Sequence, residues 1–104
     1  MSRTCCECYS VDSLIPNCDP NWHLSVIILD DTNIRNSLNH YLEERGIGAL
    51  IHYPTPLHLQ SAFNQYAKLG NLLSTENLCD RILSIPLNVT LMNREQEEII
   101  KSIV

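Results

Sequence analysis

The residues best suited to chemistry form a polar cluster in the middle of the chain, His52-Tyr-Pro-Thr-Pro-Leu-His58, with Gln60 just beyond it. An imidazole exchanges a proton near neutral pH and a tyrosine offers a phenolic hydroxyl, so His52 and Tyr53 could bind a polar ligand or move a proton. The prolines restrict their own backbone and that of the preceding residues, so these side chains project from a rigid segment. The alternative is that these residues have only a structural role, as a hydrogen-bonded histidine and a half-buried tyrosine in a tight turn.

The cysteines form a second candidate site, because four of the five lie in the first eighteen residues, at Cys5, Cys6, Cys8 and Cys18. Their odd number, with no apolar leader segment before them, argues against a disulfide framework. The Cys5-x-x-Cys8 spacing is typical of zinc sites, and Cys18 and His23 could add ligands. A second matching pair is missing, so we expect no metal site and a reduced, irregular tail.

Three further polar residues are weaker candidates. Ser84 lacks the Gly-x-Ser-x-Gly surroundings of a hydrolase nucleophile. We expect His23 to pack on a strand beside Trp22 and His40 to be exposed on a helix. None of these positions predicts a catalytic group.

Size and charge exclude several classes of protein. The chain has 104 residues, a net charge of −5 and a hydrophobic fraction of 44%, which fits one small domain rather than a large two-domain enzyme. The basic residues are scattered through an acidic chain, which argues against nucleic acid as a partner. The longest apolar stretch, 26–29, is far too short to cross a bilayer, so we expect a cytoplasmic protein with no membrane partner.

The composition changes near Pro20, which divides the chain into two parts. Residues 1–20 are predicted to be an irregular cysteine-rich tail or severed linker, and residues 21–104 a folded domain. The apolar run 22–29 predicts a buried strand. A helix follows, capped by Asp31 or Thr32 and ended by a left-handed Gly46, with an apolar face made of Ile34, Leu38, Tyr41 and Leu42.

The polar cluster follows a second predicted strand, Ala49–Tyr53, which Pro54 and Pro56 end. A short helix is predicted around Leu59–Tyr66. The next helix would be capped by Ser74 or Thr75 and ended at Pro86. Its predicted inward residues are Leu78, Ile82 and Leu83.

In the last helix, Asn93 to Gln96 resembles a capping box with Asn93 as the cap. Its predicted buried residues are Ile99, Ile100 and Ile103. The element order predicts an α/β fold of the α+β type, a small two-layer sandwich with a short antiparallel or mixed sheet covered by helices. The sequence lacks the glycine-rich loops that hold a nucleotide phosphate.

From Gly46 to Gln60 the sequence resembles the C-terminal domain of the DegT/DnrJ/EryC1/StrS sugar aminotransferases, which depend on pyridoxal phosphate. Further motifs occur in the order that the family shows: Trp22-His-Leu24, Thr75-Glu76 with Leu83-Ser-Ile-Pro86, and Met92-Asn-Arg-Glu-Gln96. The resemblance covers residues 21–104 and is specific for the family rather than for a substrate. Leu73 stands where the family commonly has proline, and residues 1–20 match poorly.

The resemblance implies the small domain of a fold-type I aminotransferase, an enzyme that is normally a homodimer. Such enzymes move an amino group from glutamate or glutamine onto a keto sugar linked to a nucleotide. Their larger domain supplies the Schiff-base lysine and the groups that hold the coenzyme. Neither Lys68 nor Lys101 matches that lysine. We therefore expect no catalytic residue and no bound cofactor in this chain alone.

By the same resemblance, His52 and Tyr53 would face the sugar, and His58 and Gln60 would shape the rim of the substrate site. The motif is nearer to the branch that makes 3-amino sugars than to the 4-amino branch. Two functions stay open. The chain could be a C-terminal fragment that works with a large cofactor domain or a homodimer partner, or a non-catalytic interaction or dimerisation module derived from that domain.

Overall fold

The computed structural model describes residues 9–10, 17, 19, 21–66 and 72–104. Within these ranges the main elements are β1 (Tyr9–Ser10), β2 (Ser25–Ile28), α1 (Thr32–Glu44), α2 (Leu73–Arg81), β3 (Ile82–Ile85) and α3 (Asn93–Ile103). Two short 3₁₀ turns, Leu57–Leu59 and Ser61–Phe63, lie between α1 and α2. None of the helices in these ranges has the length and hydropathy needed to cross a bilayer.

The described strands form an antiparallel sheet in the order β1-β2-β3. Ile27 on β2 pairs with Leu83 on β3, and Val26 pairs with Ser84. Tyr9 and Ser10 pair with the other edge of β2, so part of the segment before residue 21 contributes to the sheet. The predicted small α/β sandwich is confirmed, and of the two sheet types left open the antiparallel one is observed.

Helices cover the sheet through one apolar core, whose buried members are Ile27, Leu29, Leu42, Ile47, Leu83 and Ile99. The sheet, α1 and α3 all contribute side chains to it. Burial of one such side chain stabilises the fold by about 1.5–3 kcal/mol, so this small cluster carries much of the stability.

Helix α1 has the predicted ends. The Asp31 carboxylate accepts a hydrogen bond from the Ile34 amide at 2.8 Å, which satisfies a free donor of the first turn. At the other end, Gly46 has a φ of +72°. The Ile47 amide donates to the Leu42 carbonyl at 2.9 Å, the pattern of a Schellman motif. Both of these apolar residues are buried, so the motif also directs the chain back into the core.

Helix α2 is shorter than predicted, and the assignment of Ile82 and Leu83 to it was wrong. Both residues belong to β3, whose four residues 82–85 pair with all four residues of β2. This pairing satisfies the backbone and buries Leu83, which a longer helix would not do. The predicted caps were also wrong, because α2 begins at Leu73 with no side-chain cap.

The inward face of α2 also differs from the prediction. Leu78 is exposed, and its neighbour Cys79 is the buried residue of this helix. With Ile82 and Leu83 moved to the strand, the helix lacks the long apolar face that the sequence pattern predicted. A single buried side chain together with polar contacts at its C-terminus attaches it to the rest of the domain.

Helix α3 starts as the sequence predicts, but the cap is one residue earlier than expected. Met92 is the cap, and its amide donates to the Glu95 carboxylate at 2.8 Å. Ile99 is buried and Ile103 is packed against the core. The burial predicted for Ile100 was wrong, since this side chain is 58% exposed. The apolar residues of α3 that face the core are therefore Ile99 and Ile103, which lie one helical turn apart.

The second predicted strand is reduced to a single bridge between Leu50 and Ser84. Pro54 cannot donate to a ladder, and the four-residue β3 offers little backbone for a longer pairing. The helix predicted over Leu59–Tyr66 was also wrong. Gln60 has an extended backbone, with φ −75° and ψ 137°, which separates the two 3₁₀ turns observed there.

Candidate functional site

His52 is held by the sheet. Its Nδ1 lies 3.0 Å from the hydroxyl of Ser84, a residue that is only 4% exposed. Ser84 is itself fixed on both sides, because it pairs with Val26 on β2 and exchanges two backbone hydrogen bonds with Leu50, of 2.7 and 3.0 Å. The imidazole is therefore positioned by buried backbone rather than by a loop.

Tyr53 contacts His52 and is open to solvent. The two rings are arranged edge to face, with centroids 5.6 Å apart and an interplanar angle of 87°. The phenol is 69% exposed. Edge-to-face packing restricts the ring while its hydroxyl stays free to bind a ligand. The two residues thus form one polar unit at the surface.

His58 is anchored to α2 rather than presented to solvent. Its Nε2 lies 2.9 Å from the Glu76 carboxylate, and its side chain is 14% exposed. Because an ionised carboxylate only accepts hydrogen bonds, this nitrogen carries the proton and is already engaged. His58 can shape the site by holding the backbone in place, and its Nε2 is not free to bind a ligand.

The segment 53–66 has few attachments to the domain. Within the described ranges, the bond between His58 and Glu76 is its one hydrogen bond to the rest of the protein, since the others lie inside the segment. Among these internal bonds, the Gln60 amide donates to the Thr55 carbonyl at 3.3 Å. Pro56 is the buried residue of this segment. With His52, which precedes the segment, the four predicted site residues lie on the continuous stretch 52–60, which is anchored through the side chains of His52 and His58.

Two arginines, which residue type and spacing did not single out, attach the end of α2 and the start of β3 to the rest of the domain. Arg35 on α1 is buried, and its guanidinium donates to the carbonyls of Cys79 and Ile82, at 3.3 and 3.5 Å. These carbonyls lie at the end of α2, where helical partners are missing and a cation is favourable. Arg81 donates to the Leu29 carbonyl, 2.6 Å away. Both contacts join parts of the chain that are distant in sequence, so no local pattern could reveal them.

The described residues contain no group of three or more metal-ligating side chains. The cysteines considered for a zinc site, Cys5, Cys6, Cys8 and Cys18, fall outside the described residues. His23 and His40 are both exposed, and His40 lies 3.4 Å from Glu44 on the same helix. The packing predicted for His23 was therefore wrong, and the exposure predicted for His40 is confirmed.

Comparison with known proteins identifies the family. A model of the DegT/DnrJ/EryC1/StrS aminotransferase family matches residues 8–104. The chain belongs to this family. The match begins before residue 21 and includes the strand β1.

Two curated relatives act on sugars linked to dTDP. One is the dTDP-3-amino-3,4,6-trideoxy-alpha-D-glucose transaminase of Streptomyces venezuelae, which is 37% identical over 73 residues, or 69% of this chain and 18% of the relative. The other is the dTDP-3-amino-3,6-dideoxy-alpha-D-galactopyranose transaminase of Aneurinibacillus thermoaerophilus. It is 29% identical over 82 residues, or 79% of this chain and 22% of the relative. The chain thus spans about a fifth of the length of these aminotransferases.

A solved structure has the same fold. The S. venezuelae DesV structure in complex with a ketimine intermediate superposes with a TM-score of 0.75 and 31% identity, over 85% of this chain and 23% of that one. A Brucella abortus member of the family gives a TM-score of 0.70 and 36% identity, over 79% of this chain and 21% of that one. The similarity to a domain of the family's aminotransferases is confirmed.

The family depends on pyridoxal phosphate in its full-length members, and the described part of this chain does not fit that coenzyme. Lys101 is the one lysine among the described residues, and it lies exposed on α3, 3.6 Å from the Glu97 carboxylate. Lys68 falls outside the described residues.

Two of the family motifs have clear structural roles in the site. The Leu83-Ser-Ile-Pro86 motif contains the serine that contacts His52. The Thr75-Glu76 motif contains the carboxylate that contacts His58. These motifs therefore hold the polar cluster in place from β3 and from α2.

Proposed function

We propose that this domain supplies the substrate-side wall of a nucleotide-sugar aminotransferase and transfers no amino group by itself. The observation that carries the proposal is the anchoring of segment 53–66, which leaves the phenol of Tyr53 exposed beside a fixed His52. A rigid polar pair of this kind suits the hydroxyl and carbonyl oxygens of a sugar. The relatives act on dTDP-linked 3-amino sugars, which supports a substrate of that class.

In this proposal each residue has a separate task. Tyr53 and His52 bind oxygen atoms of a keto sugar linked to a nucleotide, and they orient its ring. His58 and Gln60 keep the rim of the site in shape, through Glu76 and through the Thr55 carbonyl. The coenzyme and its lysine would belong to a larger domain, which receives the amino group from glutamate or glutamine.

The proposed partner is that larger cofactor domain, or the homodimer that contains it. The chain spans about a fifth of the length of its relatives. Large side chains are exposed on segment 53–66 and just before it, namely Leu57, Leu59, Tyr66 and Leu50. Contact with a larger domain would bury such a surface. The aminotransferase site would then form between the two domains.

A chimaera tests the proposal. Residues 8–104 replace the matching segment of the S. venezuelae transaminase, and coenzyme absorbance verifies that the protein is assembled. We expect amino transfer to its keto sugar, and a KM about two- to tenfold higher for Tyr53→Phe, the cost of one lost hydrogen bond. Tyr66→Phe is the matched control, because Tyr66 is equally exposed on the same segment.

Two results would contradict the proposal. Equal KM values for the two tyrosine variants would remove Tyr53 from the substrate site. Amino transfer by this chain alone, with only coenzyme, donor and keto sugar added, would show that it needs no larger domain.

A non-catalytic interaction or dimerisation module is the second candidate, and the exposed apolar residues favour it as well. Leu73 on α2 and Val89 in the turn before α3 are largely exposed. Sedimentation of the chain alone would separate the two candidates. A stable dimer that persists when the larger domain is added, with no gain of transferase activity, would favour the module.

A further inference from the structure

The hydroxyl of Ser84 determines which nitrogen of His52 bears the proton. Ser84 is almost completely buried, and its Oγ lies 3.0 Å from Nδ1 of His52. No other described residue forms a hydrogen bond with this hydroxyl, and no described residue forms one with Nε2 of His52. The direction of a single hydrogen bond therefore decides what the imidazole offers to a ligand.

A hydroxyl has one proton to donate, and a buried donor without an acceptor is costly. If Nδ1 carried the proton and donated it, the Ser84 proton would lack an acceptor among the described residues. If Ser84 donates to Nδ1, both groups are satisfied. We infer that Ser84 is a positioning residue, which donates to Nδ1 and fixes the neutral His52 as the tautomer with its proton on Nε2.

This tautomer limits what His52 can do. A neutral ring with its proton on Nε2 donates a hydrogen bond there and cannot act as a base at that atom. The ligand atom that fits it is an acceptor oxygen, such as the carbonyl or a hydroxyl of a keto sugar. The choice of a keto sugar as the ligand rests on the proposed function. With this tautomer, His52 would position the sugar rather than transfer a proton.

The backbone around Ser84 makes the hydroxyl a rigid donor. Ser84 exchanges backbone hydrogen bonds of 2.7 and 3.0 Å with Leu50, which lies two positions before His52. The serine and the histidine are therefore connected twice, once through the bridge and once through their side chains. The bridge to Leu50 therefore restrains the backbone on both sides of the contact between the Ser84 hydroxyl and Nδ1 of His52.

Nitrogen NMR of the full chain labelled with ¹⁵N-histidine tests the inference without any substrate. At about pH 8.5, where ordinary imidazoles are neutral, we expect Nδ1 of His52 to have the shift of an unprotonated nitrogen and Nε2 that of a protonated one. Ser84→Ala should populate both tautomers, so the two shifts move towards each other. Ser84→Thr retains a hydroxyl and should restore the original pattern.

Ser102→Ala is the matched control, because Ser102 donates to the Glu98 carbonyl on α3, away from the site. We expect it to leave both shifts of His52 unchanged. A proton on Nδ1 in the unaltered chain would overturn the inference, whether or not any variant folds. Shifts that Ser84→Ala leaves unchanged, in a chain with native circular dichroism, would overturn it too.

The chimaera separates this inference from the proposed function. There, Ser84→Ala should raise the KM for the keto sugar about fivefold with little change in kcat, and Ser84→Thr should restore it. The predicted NMR pattern combined with an unaltered KM would contradict the sugar as ligand while supporting the tautomer. The opposite NMR pattern would contradict the tautomer alone.

Discussion

Replacing Glu76 by glutamine removes the charge from the group that anchors His58 to α2. A hydrogen bond to a charged group contributes about 1.5–3 kcal/mol and a neutral one about 0.5–1.5 kcal/mol, so the change costs about 1 kcal/mol. The lower end of that difference applies, because the Glu76 side chain is 37% exposed. Since this bond is the one described hydrogen bond between segment 53–66 and the rest of the domain, the loss should appear as local opening.

Amide hydrogen exchange followed by mass spectrometry measures that opening. A cost of about 1 kcal/mol raises the open population about fivefold, so peptides covering 57–66 should exchange about five times faster in Glu76→Gln. Peptides from α3 should not change. Glu97→Gln makes the same chemical change in an exposed pair with Lys101 and serves as the control. Equal exchange of 57–66 in the two variants would refute the view that Glu76 anchors the segment.

Two further predictions concern stability. Leu83→Ala should lower the free energy of unfolding by about 2–5 kcal/mol in urea titrations, because Leu83 is fully buried in the core, whereas Ile100→Ala should change it by less than about 0.5 kcal/mol. A similar loss in both variants would contradict the assigned core. Arg35→Met should cost about 1–3 kcal/mol, because the carbonyls of Cys79 and Ile82 lose their donor; an unchanged urea midpoint would show that water replaces the guanidinium.

Local signals predicted the parts of the fold that depend on local physics. The acceptor at Asp31 and the left-handed glycine at Gly46 define α1, because both interactions lie within a few residues of the helix end. The apolar run before them predicts β2 for the same reason. Around α3 the pattern was correct in kind but displaced by one residue, since Met92 with Glu95 and Asn93 with Gln96 both have the spacing of a capping box.

The rest depended on contacts between distant parts of the chain. Ile82 and Leu83 continue a helical spacing, yet the free edge of β2 makes a strand more favourable there. The candidate site also depends on a contact between distant parts of the chain. Residue type and spacing identified His52 and Tyr53 as candidates, whereas Ser84 was considered only as a nucleophile. A partner 32 positions away along the chain has no periodic signature, so its contact with His52 became visible only in three dimensions.

Helix α2 passes into β3 with no residue between them, so Glu76 and Ser84 belong to one continuous helix–strand unit. Both imidazoles are therefore held by side chains of the same helix–strand unit. Between the imidazoles, the side chains of 53–55 are exposed. Under the proposed function, substitutions at these three positions would alter the ligand-facing surface while both anchors are retained.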